Sequence, residues 1–380
     1  MGKILSYGMV GGGPGAFIGE AHRRAINLDG KARLVAGCFS SNFDKTKQMG
    51  EELGVASDRL YETPQAMATA EAARADGIDF VVIVTPNHAH YDGCKAFLEA
   101  GINVSCDKPL TVTLEQAKDL DRLVKEKDLI FMVTYVYSGH VTARAIAELI
   151  REGEIGEIRA IMGEYPQGWL AFPEIEGNKQ AEWRTNPELS GRSNCLGDIG
   201  THVENTVYRM TGLKIKKVLA KMDKIVEGRK LDDNATVLIE YENGASGCYW
   251  ASQVAIGHDN GLRVRIYGSE GSLLWSQEEP EKFQLVKVDG TLIERHRGHD
   301  SIASKLAKYV RLPAGHSEGW TSAMANLYTN FIDCVAAKAD GTFTKEMIEF
   351  PTTEDGVDGL SFVEACLESA ENGNVWVDMK

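Results

Sequence analysis

The feature that most restricts the fold is a continuous apolar run, IDFVVIVTP, from Ile78 to Pro86. A strand with one solvated face alternates apolar and polar residues, and this run does not alternate. It is rich in β-branched side chains, which is typical of a strand that is covered on both faces of a parallel sheet. Because parallel strands are joined by crossover helices, the run predicts an α/β fold.

Four more stretches of the first third are predicted to be strands. They are KILSYGMVG (3–11), RLVAGCFS (33–40), GINVSCDKP (101–109) and LIFMVTYV (129–136). Between the last two, Leu114, Ala117 and Leu120 recur at helical spacing. Thr113 and Gln116 form a capping-box pattern at the start of that helix. This strand–helix–strand repetition predicts a right-handed, doubly wound parallel sheet.

The pattern changes after about residue 136. A helical stretch, ARAIAELIREG, leads to a strand near 158–164 and then to a polar stretch that contains aromatic residues. From Lys214 onward, strands are joined by tight turns. ATVLIEYENGASGCYWASQVA predicts a hairpin around Asn243-Gly244, and RVRIYGSEGSLLW predicts another.

These patterns predict two domains. The first, 1–135, contains the doubly wound parallel sheet. The second, 136–380, is an α/β domain with a large open, mostly antiparallel sheet. The final helices, near 321–337 and 356–371, are expected to close the structure or to pack back on the first domain.

Glycine is concentrated in GMVGGGPGAFIGEAH, from Gly8 to His22, directly after the first predicted strand. Glycine in such a turn lets backbone N–H groups approach a pyrophosphate, and a helix N-terminus favours its negative charge. Gly11 and Gly13 match the start of G-x-G-x-x-G, but Gly19 lies three residues too far along the chain. The stretch is either a cofactor turn with an insertion or a structural glycine loop, and the preceding buried strand favours the cofactor turn.

The residues at the end of the second strand do not decide whether the cofactor has a 2′-hydroxyl, as in NAD, or a 2′-phosphate, as in NADP. NAD sites often have an acid here to bind the ribose hydroxyls, and NADP sites often have a basic residue nearby. This chain has Ser40, Ser41 and Asn42, with Asp44 and Lys45 further on. We favour NAD, because no arginine directly follows the serines, and NADP stays open.

Lys108 is a candidate for proton transfer. It follows a predicted buried strand in CDKPLT, beside Asp107 and before Pro109. A lysine at the carboxyl end of a parallel strand faces the ligand crevice. Its ammonium group can bind a substrate hydroxyl or the nicotinamide ribose, and with a lowered pKa it can pass a proton. The alternative is a solvated surface lysine.

Asp198 and His202 form a second candidate pair in GDIGTHVENTVYRMTG. Four residues apart, they share one face of a helix, where a carboxylate can orient an imidazole for proton exchange. The alternative is a capping aspartate and a core histidine. A metal site with His88 and His90 has no cysteine or H-E-x-x-H spacing to support it, so we predict no metal.

Composition excludes several classes of function. A formal net charge of -14 argues against nucleic-acid and anionic-membrane partners. No apolar run approaches the ~20 residues of a membrane span, and the N-terminus does not match a signal peptide. The seven cysteines form no C-x-x-C pair, which fits a reducing cytosol and predicts a cytoplasmic protein.

Together these features resemble the glucose–fructose oxidoreductase/inositol dehydrogenase (Gfo/Idh/MocA) family of nicotinamide-dependent enzymes. The similarity includes the glycine turn, TPNHAH, CDKPL at the family's E-K-P motif, GDIGTH, which matches its D-x-x-x-H motif, and the closing stretch DGVDGLSFVEACLESAENGNVWV. The resemblance implies that 1–135 is a dinucleotide-binding Rossmann domain, with NAD as cofactor and NADP as the alternative. It also implies a sugar, glycoside or inositol substrate and a homodimer or homotetramer.

The resemblance also implies roles for particular residues. Lys108 and His202 are expected to handle the proton, with Asp198 as their partner, and Asp107 to hold the cofactor ribose. The expected cofactor-binding residues are Gly11, Gly13, Phe17, Ile18, Ser40, Ser41, Thr85, Pro86, Asn87, His90, Asp107 and Lys108. The expected substrate residues are Tyr135, Tyr165, Trp183, Arg184, Asn194 and His316, with Tyr137 as a further aromatic candidate.

One residue departs from the family pattern, and two loops indicate a subgroup of the family. Asp107 replaces the usual glutamate and is one methylene shorter. The expanded glycine loop and LPAGHSEGW (312–320) resemble a subgroup that acts on sugars and glycosides. This loop either brings His316 towards the substrate or leaves it as a surface histidine.

The expected reaction is oxidation of a secondary ring hydroxyl to a ketone, at C3 of a glucose-like ring or on an inositol, by hydride transfer to the nicotinamide. One alternative is a redox-assisted glycosidase that releases a sugar with no net change in the cofactor. Another is a ligand-sensing regulator on the same fold, which would bind a dinucleotide without turnover. The joint presence of Lys108, Asp198 and His202 argues against the regulator.

Overall fold

The computed structural model describes residues 4–173 and 177–379. Lys3, with which the first predicted strand begins, lies outside the described residues. By internal contacts the chain divides into two compact units. The first unit comprises Met1–Thr134 and Met324–Val357, and the second comprises Tyr135–Ala323 and Asp358–Lys380.

The first unit contains a five-stranded parallel sheet. Its strands are β1 (Leu5–Gly11), β2 (Ala32–Cys38), β3 (Phe80–Val84), β4 (Asn103–Cys106) and β5 (Phe131–Val133), in the order β2-β1-β3-β4-β5. The connecting helices are α1 (Phe17–Leu28), α2 (Phe43–Leu53), α3 (Pro64–Ala73), α4 (His90–Glu99) and α5 (Leu114–Lys127). All four strand pairings are parallel, which confirms the doubly wound sheet.

The local patterns explain most of these elements. All five residues of β3 are buried, as expected for a strand covered on both faces. The Thr113 hydroxyl caps α5 by accepting a hydrogen bond from the Gln116 backbone N–H at 3.3 Å. The predicted capping box is only half formed, however, because the buried Gln116 Oε1 has no hydrogen-bond partner in the described part of the chain.

The second unit contains a nine-stranded sheet. Its strands are β6 (Ile158–Pro166), β7 (Ile215–Asp223), β8 (Asn234–Tyr241), β9 (Ser246–Ser252), β10 (Arg263–Gly268), β11 (Gly271–Ser276), β12 (Lys282–Lys287), β13 (Leu292–His296) and β14 (Val377–Asp378). The order is β13-β12-β11-β10-β6-β9-β8-β7-β14. Only the β6–β9 pairing is parallel among these strands, so the prediction of a mostly antiparallel sheet is confirmed.

Both predicted hairpins are present in this sheet. β8 and β9 are joined through Asn243 and Gly244, and Gly244 has a φ of 85°, which glycine adopts without steric cost. β10 and β11 form the other hairpin. One row of facing residues crosses the sheet through Arg265, Met162, Cys248 and Leu238, and Met162 and Leu238 are exposed.

The remaining helices are α6 (Val141–Arg151), α7 (Lys179–Arg184), α8 (Pro187–Ser190), α9 (Thr201–Thr211), α10 (Asp300–Ala303), α11 (Gly319–Ala339) and α12 (Thr353–Glu371). The chain passes from one unit to the other within α11 and within α12. Across the described residues, every helix is too short or too polar to span a lipid bilayer.

Candidate functional site

The glycines in the turn at the carboxyl end of β1 lie so close to neighbouring backbone that a side chain does not fit. Gly11 has a φ of 86°, and a Cβ there would lie 2.8 Å from the Val84 carbonyl oxygen. A Cβ on Gly13 would lie 2.8 Å from the Phe39 carbonyl oxygen. The sheet order reverses between β1 and β3, and open α/β sheets bind ligands at such a point.

Gly12 and Gly19 were not recognised as a pair in the sequence. A Cβ on Gly19 would lie 2.5 Å from the Gly12 Cα, so the first turn of α1 packs directly on the glycine turn. This is the packing role of the third glycine in a dinucleotide-binding turn, here reached after an insertion. Arg23 supports the turn by donating to the Gly12 carbonyl at 3.3 Å.

The start of α1 presents backbone N–H groups without a capping side chain. Ala16 occupies the N-cap position, and its side chain makes no capping hydrogen bond. Phe17 is exposed and Ile18 is half-buried at the first helical turn. An uncapped N-terminus of a twelve-residue helix beside a close-packed glycine turn fits the pyrophosphate of a dinucleotide.

The segment after β3 holds four of the predicted cofactor residues. The Thr85 Oγ1 atom is buried and has no hydrogen-bond partner in residues 4–173 and 177–379, so it can bind a ligand. Pro86 is exposed and Asn87 is buried. The ring nitrogens of His90 lie 2.8 Å from the Thr85 carbonyl oxygen and 2.9 Å from that of Pro109. His90 therefore packs between the β3 and β4 turns, and its contact with a cofactor stays a prediction.

Burial lowers the pKa of His90, against the opposing effects of Asp107 and the neighbouring carbonyls. A neutral imidazole donates through only one nitrogen, so only one of the two carbonyls receives a hydrogen bond from it.

Asp107 and Lys108 follow β4, as predicted. Asp107 Oδ1 accepts hydrogen bonds from the Lys108 backbone N–H and from the Thr134 hydroxyl, both at 2.9 Å. These bonds fix the position of the Asp107 carboxylate and of the Lys108 backbone. The Lys108 side chain is half-buried rather than fully solvated.

A buried polar chain behind Asp107 was not recognised in the sequence. The Ser105 hydroxyl donates to the Tyr328 hydroxyl at 3.1 Å, and that hydroxyl lies 2.5 Å from His22 Nδ1. If Tyr328 uses its proton for Nδ1, the proton of a neutral His22 is on Nε2, which lies 4.0 Å from Asp107 Oδ1. Burial lowers the pKa of His22 and Asp107 opposes the shift. The signal in the sequence was only the histidine that ends the glycine-rich stretch.

The serines after β2 have separate environments. The Ser40 hydroxyl accepts from the Asn42 backbone N–H at 3.2 Å, and Ser41 is exposed. Asn42 caps α2 by accepting from the backbone of Asp44 and Lys45. No arginine stands among these residues, which agrees with the preference for NAD.

In the second unit, Asp198 lies in a π-helical turn, Leu196–Gly200, that runs directly into α9. π-helical turns are rare and are frequently found at functional sites. Asp198 Oδ2 accepts hydrogen bonds from Arg184 Nε and Gln253 Nε2, both at 3.0 Å. The carboxylate is therefore held by two donors from distant segments, and its predicted pairing with His202 stays a prediction.

Asn194 is buried next to this carboxylate. Its side-chain amide donates to Gln253 Oε1 at 2.8 Å, while its Oδ1 atom is buried without a hydrogen-bond partner among the described residues. The buried Asp232 holds this segment by accepting from the backbone N–H groups of Asn194 and Leu196. Burial raises the pKa of Asp232, although these bonds oppose the shift. A free buried acceptor beside an acid fits a ligand hydroxyl.

His202 lies in the first turn of α9, buried among three tyrosines. Its ring centroid is 4.7 Å from that of Tyr137, 5.6 Å from that of Tyr135 and 6.1 Å from that of Tyr165. Burial raises the pKa of Tyr137 and of Tyr165, so both phenols stay protonated and act as hydrogen-bond donors.

A chain of hydrogen bonds leads outward from these tyrosines. The hydroxyls of Tyr137 and Tyr165 are 2.5 Å apart, and Tyr165 also donates to Asn260 Oδ1. Gln167 donates to the same Asn260 oxygen at 3.0 Å. Gln167 and Asn260 were not predicted. The signal in the sequence was that Gln167 directly follows the strand β6, and that Asn260 lies in the polar loop between β9 and β10.

Arg184 connects Asp198 with two tryptophans. Its guanidinium carbon lies 4.2 Å from the ring centroid of Trp183 and 5.6 Å from that of Trp169. Trp183 was predicted as a substrate residue, whereas Trp169 was not. Stacking on both rings and the bond to Asp198 fix the guanidinium in place.

His316 lies in an exposed loop, where its backbone oxygen accepts from the buried Arg297. Arg297 also donates to Glu318 Oε1 at 2.6 Å, so the loop is firmly held. At its end, the Trp320 side chain hydrogen-bonds the Tyr137 hydroxyl. The loop therefore reaches the tyrosine cluster through Trp320, and substrate contact by His316 stays a prediction.

The chemistry of the two units differs. The first has close backbone turns and a carboxylate–lysine segment, and the second has an acid, an imidazole and several hydrogen-bonding amides and phenols. Within residues 4–173 and 177–379, no group of three or more histidine, cysteine, aspartate or glutamate side chains could hold a metal ion.

Comparison with known families finds two matches. Residues 5–135 match the family model described as "Oxidoreductase family, NAD-binding Rossmann fold" (GFO_IDH_MocA). Residues 143–274 match the model described as "GFO/IDH/MocA C-terminal domain". The two matches cover the glycine turn, Lys108, Asp198 and His202.

Individual proteins are similar over most or all of the chain. The uncharacterized oxidoreductase YfiI of Bacillus subtilis (strain 168) is 38% identical, over 100% of this chain and 98% of that protein. The levoglucosan dehydrogenase of Pseudarthrobacter phenanthrenivorans is 28% identical, over 74% of this chain and 76% of that protein. The crystal structure of an inositol dehydrogenase homolog from Azotobacter vinelandii, in complex with NADH and myo-inositol, has a TM-score of 0.93 and 35% identity, and covers 99% of this chain and 98% of that one.

Proposed function

The chain belongs to the Gfo/Idh/MocA family of NAD-binding oxidoreductases, and from that premise we propose that it oxidises a secondary hydroxyl on a sugar, glycoside or inositol ring. The observation that carries the proposal is the buried polar cluster of the second unit. There, Asp198 is held by two donors and Asn194 Oδ1 is a buried acceptor without a partner among the described residues. Such a cluster suits a ligand that presents several hydroxyl groups.

The first unit is the NAD-binding domain of the family, and its residues fit the cofactor. We propose that the turn from Gly11 to Gly13 and the uncapped start of α1 bind the pyrophosphate, and that the Thr85 hydroxyl contacts the nicotinamide half. Ser40 and Ser41 bind the adenosine ribose, with NAD preferred over NADP. When bound, the nicotinamide accepts the hydride from the ring carbon.

The protein's own contribution to the reaction is proton transfer. Lys108 or His202 removes the proton from the hydroxyl that becomes the ketone. Asp198 orients the reacting ring, and its fixed position limits the movement of the bound substrate. Asp107, fixed by Thr134, holds the segment from which the Lys108 side chain extends.

We propose that amide and phenol side chains of the second unit bind the ring. Asn194 accepts a hydrogen bond from one hydroxyl through its free Oδ1, and we propose that the tyrosines around His202 contact the ring. We propose a glucose-like ring oxidised at C3, because the expanded glycine loop and the late loop resemble the subgroup that acts on sugars and glycosides.

The exposed face of the large sheet supports a proposal about assembly. Met162 and Leu238 are exposed large apolar side chains in one cross-strand row. We propose that this face pairs two or four copies of the chain. Sedimentation of wild type and Leu238→Glu tests it, and a wild-type monomer would contradict it.

The main test is nicotinamide fluorescence after mixing the protein with NAD or NADP and a panel of sugars, glycosides and inositols. A rise with one cofactor and one type of ring supports the proposal. Release of a free sugar without net reduction of the cofactor would instead indicate a redox-assisted glycosidase. Dinucleotide binding without turnover or release across the panel would favour a regulator and contradict the dehydrogenase.

A further inference from the structure

An exposed indole lies beside the polar cluster of the second unit. Trp169 follows β6 and has 43% of its surface exposed, although a tryptophan usually buries most of its ring. Phe172 and Ile256 are also exposed, at 69% and 71%. Gly168, next to Trp169, is so close to Ile256 that a Cβ on it would lie 2.9 Å from the Ile256 Cα. Two adjacent loops therefore present apolar side chains to solvent.

The indole is held in a fixed position in spite of its exposure. Its Nε1 donates to Gln167 Oε1 at 2.9 Å. Backbone bonds from Gly168 to the His258 carbonyl, at 2.9 Å, and from Leu170 to the Gln253 carbonyl, at 3.1 Å, fix the loop on either side. The indole is therefore fixed in place although nearly half of its surface faces solvent.

The supports of the indole are also members of the polar cluster. Arg184 stacks near the Trp169 ring and donates to Asp198. Gln167 bonds both the Trp169 Nε1 atom and Asn260, which in turn bonds Tyr165. Two independent chains of contacts therefore set the position of the indole relative to the acid and the tyrosines that we propose to bind the reacting ring.

We propose that Trp169 is a stacking platform for a second ring, so that the substrate is a glycoside rather than a free monosaccharide or inositol. This inference rests on the proposed function. A free polyol ring is covered with hydroxyls that the amides and phenols of the cluster can bind. A sugar ring also has an apolar C–H face and an aryl aglycone has an apolar π face, and either stacks on an indole that is kept partly exposed. Phe172 and Ile256 extend the apolar surface beside it.

The test measures binding rather than turnover, so it does not depend on the oxidation. Titration calorimetry in the presence of NADH compares phenyl and methyl glucosides of the same anomeric configuration. We expect wild type to bind the phenyl glucoside about tenfold more tightly, which is the range of one aromatic stacking contact. Trp169→Ala should lose most of this preference, and Trp169→Phe should keep most of it.

Trp376 offers a matched control. It is 45% exposed, lies next to the edge strand β14, and also has a cation contact, with Lys217 Nζ at 5.2 Å from its ring centroid. Trp376→Ala should keep the wild-type preference for the phenyl glucoside. An equal loss in the Trp376 variant would show a general effect of removing an exposed indole and would contradict the proposal.

Three other results overturn the inference. One is an unchanged preference in Trp169→Ala. A second is an equal loss of both glucosides, which indicates a structural role. The third is failure of wild type to bind either glucoside. The proposed function fails separately, if glucosides bind with the expected preference but no ring is oxidised.

Discussion

The two units build their candidate sites from different materials. In the first unit the main features belong to the backbone: glycines that leave no room for a Cβ, an uncapped helix start, and two turns with His90 packed between them. In the second unit they are side chains that hold one another, such as Arg184, Gln253 and Asp198. A site made of backbone accepts one constant ligand. A site made of side chains can change its ligand by a few substitutions, and the two units suit a common cofactor and a variable substrate.

The largest expected effect concerns proton transfer, for which we propose one residue in each unit. Lys108→Ala and His202→Gln should each lower kcat by about 10² to 10⁴-fold, the usual contribution of general acid–base catalysis. If both residues serve one proton transfer, the kcat of the double variant should be only slightly below that of the less active single variant. The measurement is steady-state kinetics, with thermal unfolding to check that each variant folds.

Lys118→Ala, which removes an exposed lysine of the first unit, is the control and should keep wild-type kcat. Normal turnover in Lys108→Ala would contradict its assigned role. If the loss of kcat in the double variant equals the product of the losses in the two single variants, the two residues act in separate steps.

The next largest effect is a pH-dependent loss of stability in the second unit. Desolvation lowers the pKa of the buried His140 to about 4, and Glu281 opposes the shift. The folded state therefore keeps His140 neutral, and its stability contribution is complete above the unfolded pKa of about 6.5 and is lost as the pH falls towards 4. The loss can reach about 3 kcal/mol in the free energy of unfolding, at 1.36 kcal/mol per pKa unit.

His140→Phe should remove this contribution, so that its unfolding free energy falls less steeply than that of wild type between pH 6.5 and 4. Urea unfolding at several pH values measures the difference. His299→Gln removes an exposed histidine ring of the same unit and is the control, which should keep the wild-type slope. Parallel pH profiles of His140→Phe and wild type would refute the effect.

The glycine turn is the corresponding test of the first unit. A Cβ on Gly13 would lie 2.8 Å from the Phe39 carbonyl oxygen, so Gly13→Ala must displace the turn. We expect NADH affinity, measured by fluorescence titration, to fall at least about tenfold, which corresponds to about 1.4 kcal/mol. Gly93→Ala is the matched control, because its Cβ would lie no closer than 3.7 Å from Ile83. A loss of stability in Gly13→Ala with unchanged affinity would make the turn purely structural.

The same contrast explains what the sequence could predict. Buried strands, the glycine turn and the Thr113 cap depend on neighbouring residues, and all were recognised. Within the turn, the Gly12–Gly19 contact was missed because it depends on how the helix packs on the turn. His22 was missed because its partner, Tyr328, is 306 residues away in sequence.

The second site was less predictable for the same reason. Asp198 and His202 were recognised from local spacing, but Gln253 is 55 residues from Asp198, and Asn260 is 93 residues from Gln167. No local pattern indicates such partners before the order of the strands is known. Trp169 was also missed, because an aromatic residue after a strand usually signals core packing, and only its exposure suggests another role.

The smallest expected effect separates ring binding from cofactor binding. Asn194→Ala removes the free buried acceptor and the bond to Gln253 Oε1, at 2.8 Å. One hydrogen bond contributes up to about 1.5 kcal/mol net, so kcat/KM for the ring substrate should fall up to about tenfold. NADH affinity should stay at the wild-type value, in contrast to Gly13→Ala, because Asn194 belongs to the unit that we propose to bind the ring.

Asn234→Ala is the control for Asn194→Ala, since Asn234 is an amide of the same unit whose Oδ1 accepts a hydrogen bond from Trp250 Nε1 at 2.9 Å. It should lower stability without a selective change in kcat/KM. Asn194→Asp retains a side-chain acceptor and should recover part of the loss, because the proposed contact needs an oxygen at this position. If Asn194→Ala weakens NADH and substrate equally, the division of labour between a backbone site and a side-chain site is wrong, and Asn194 supports the fold instead.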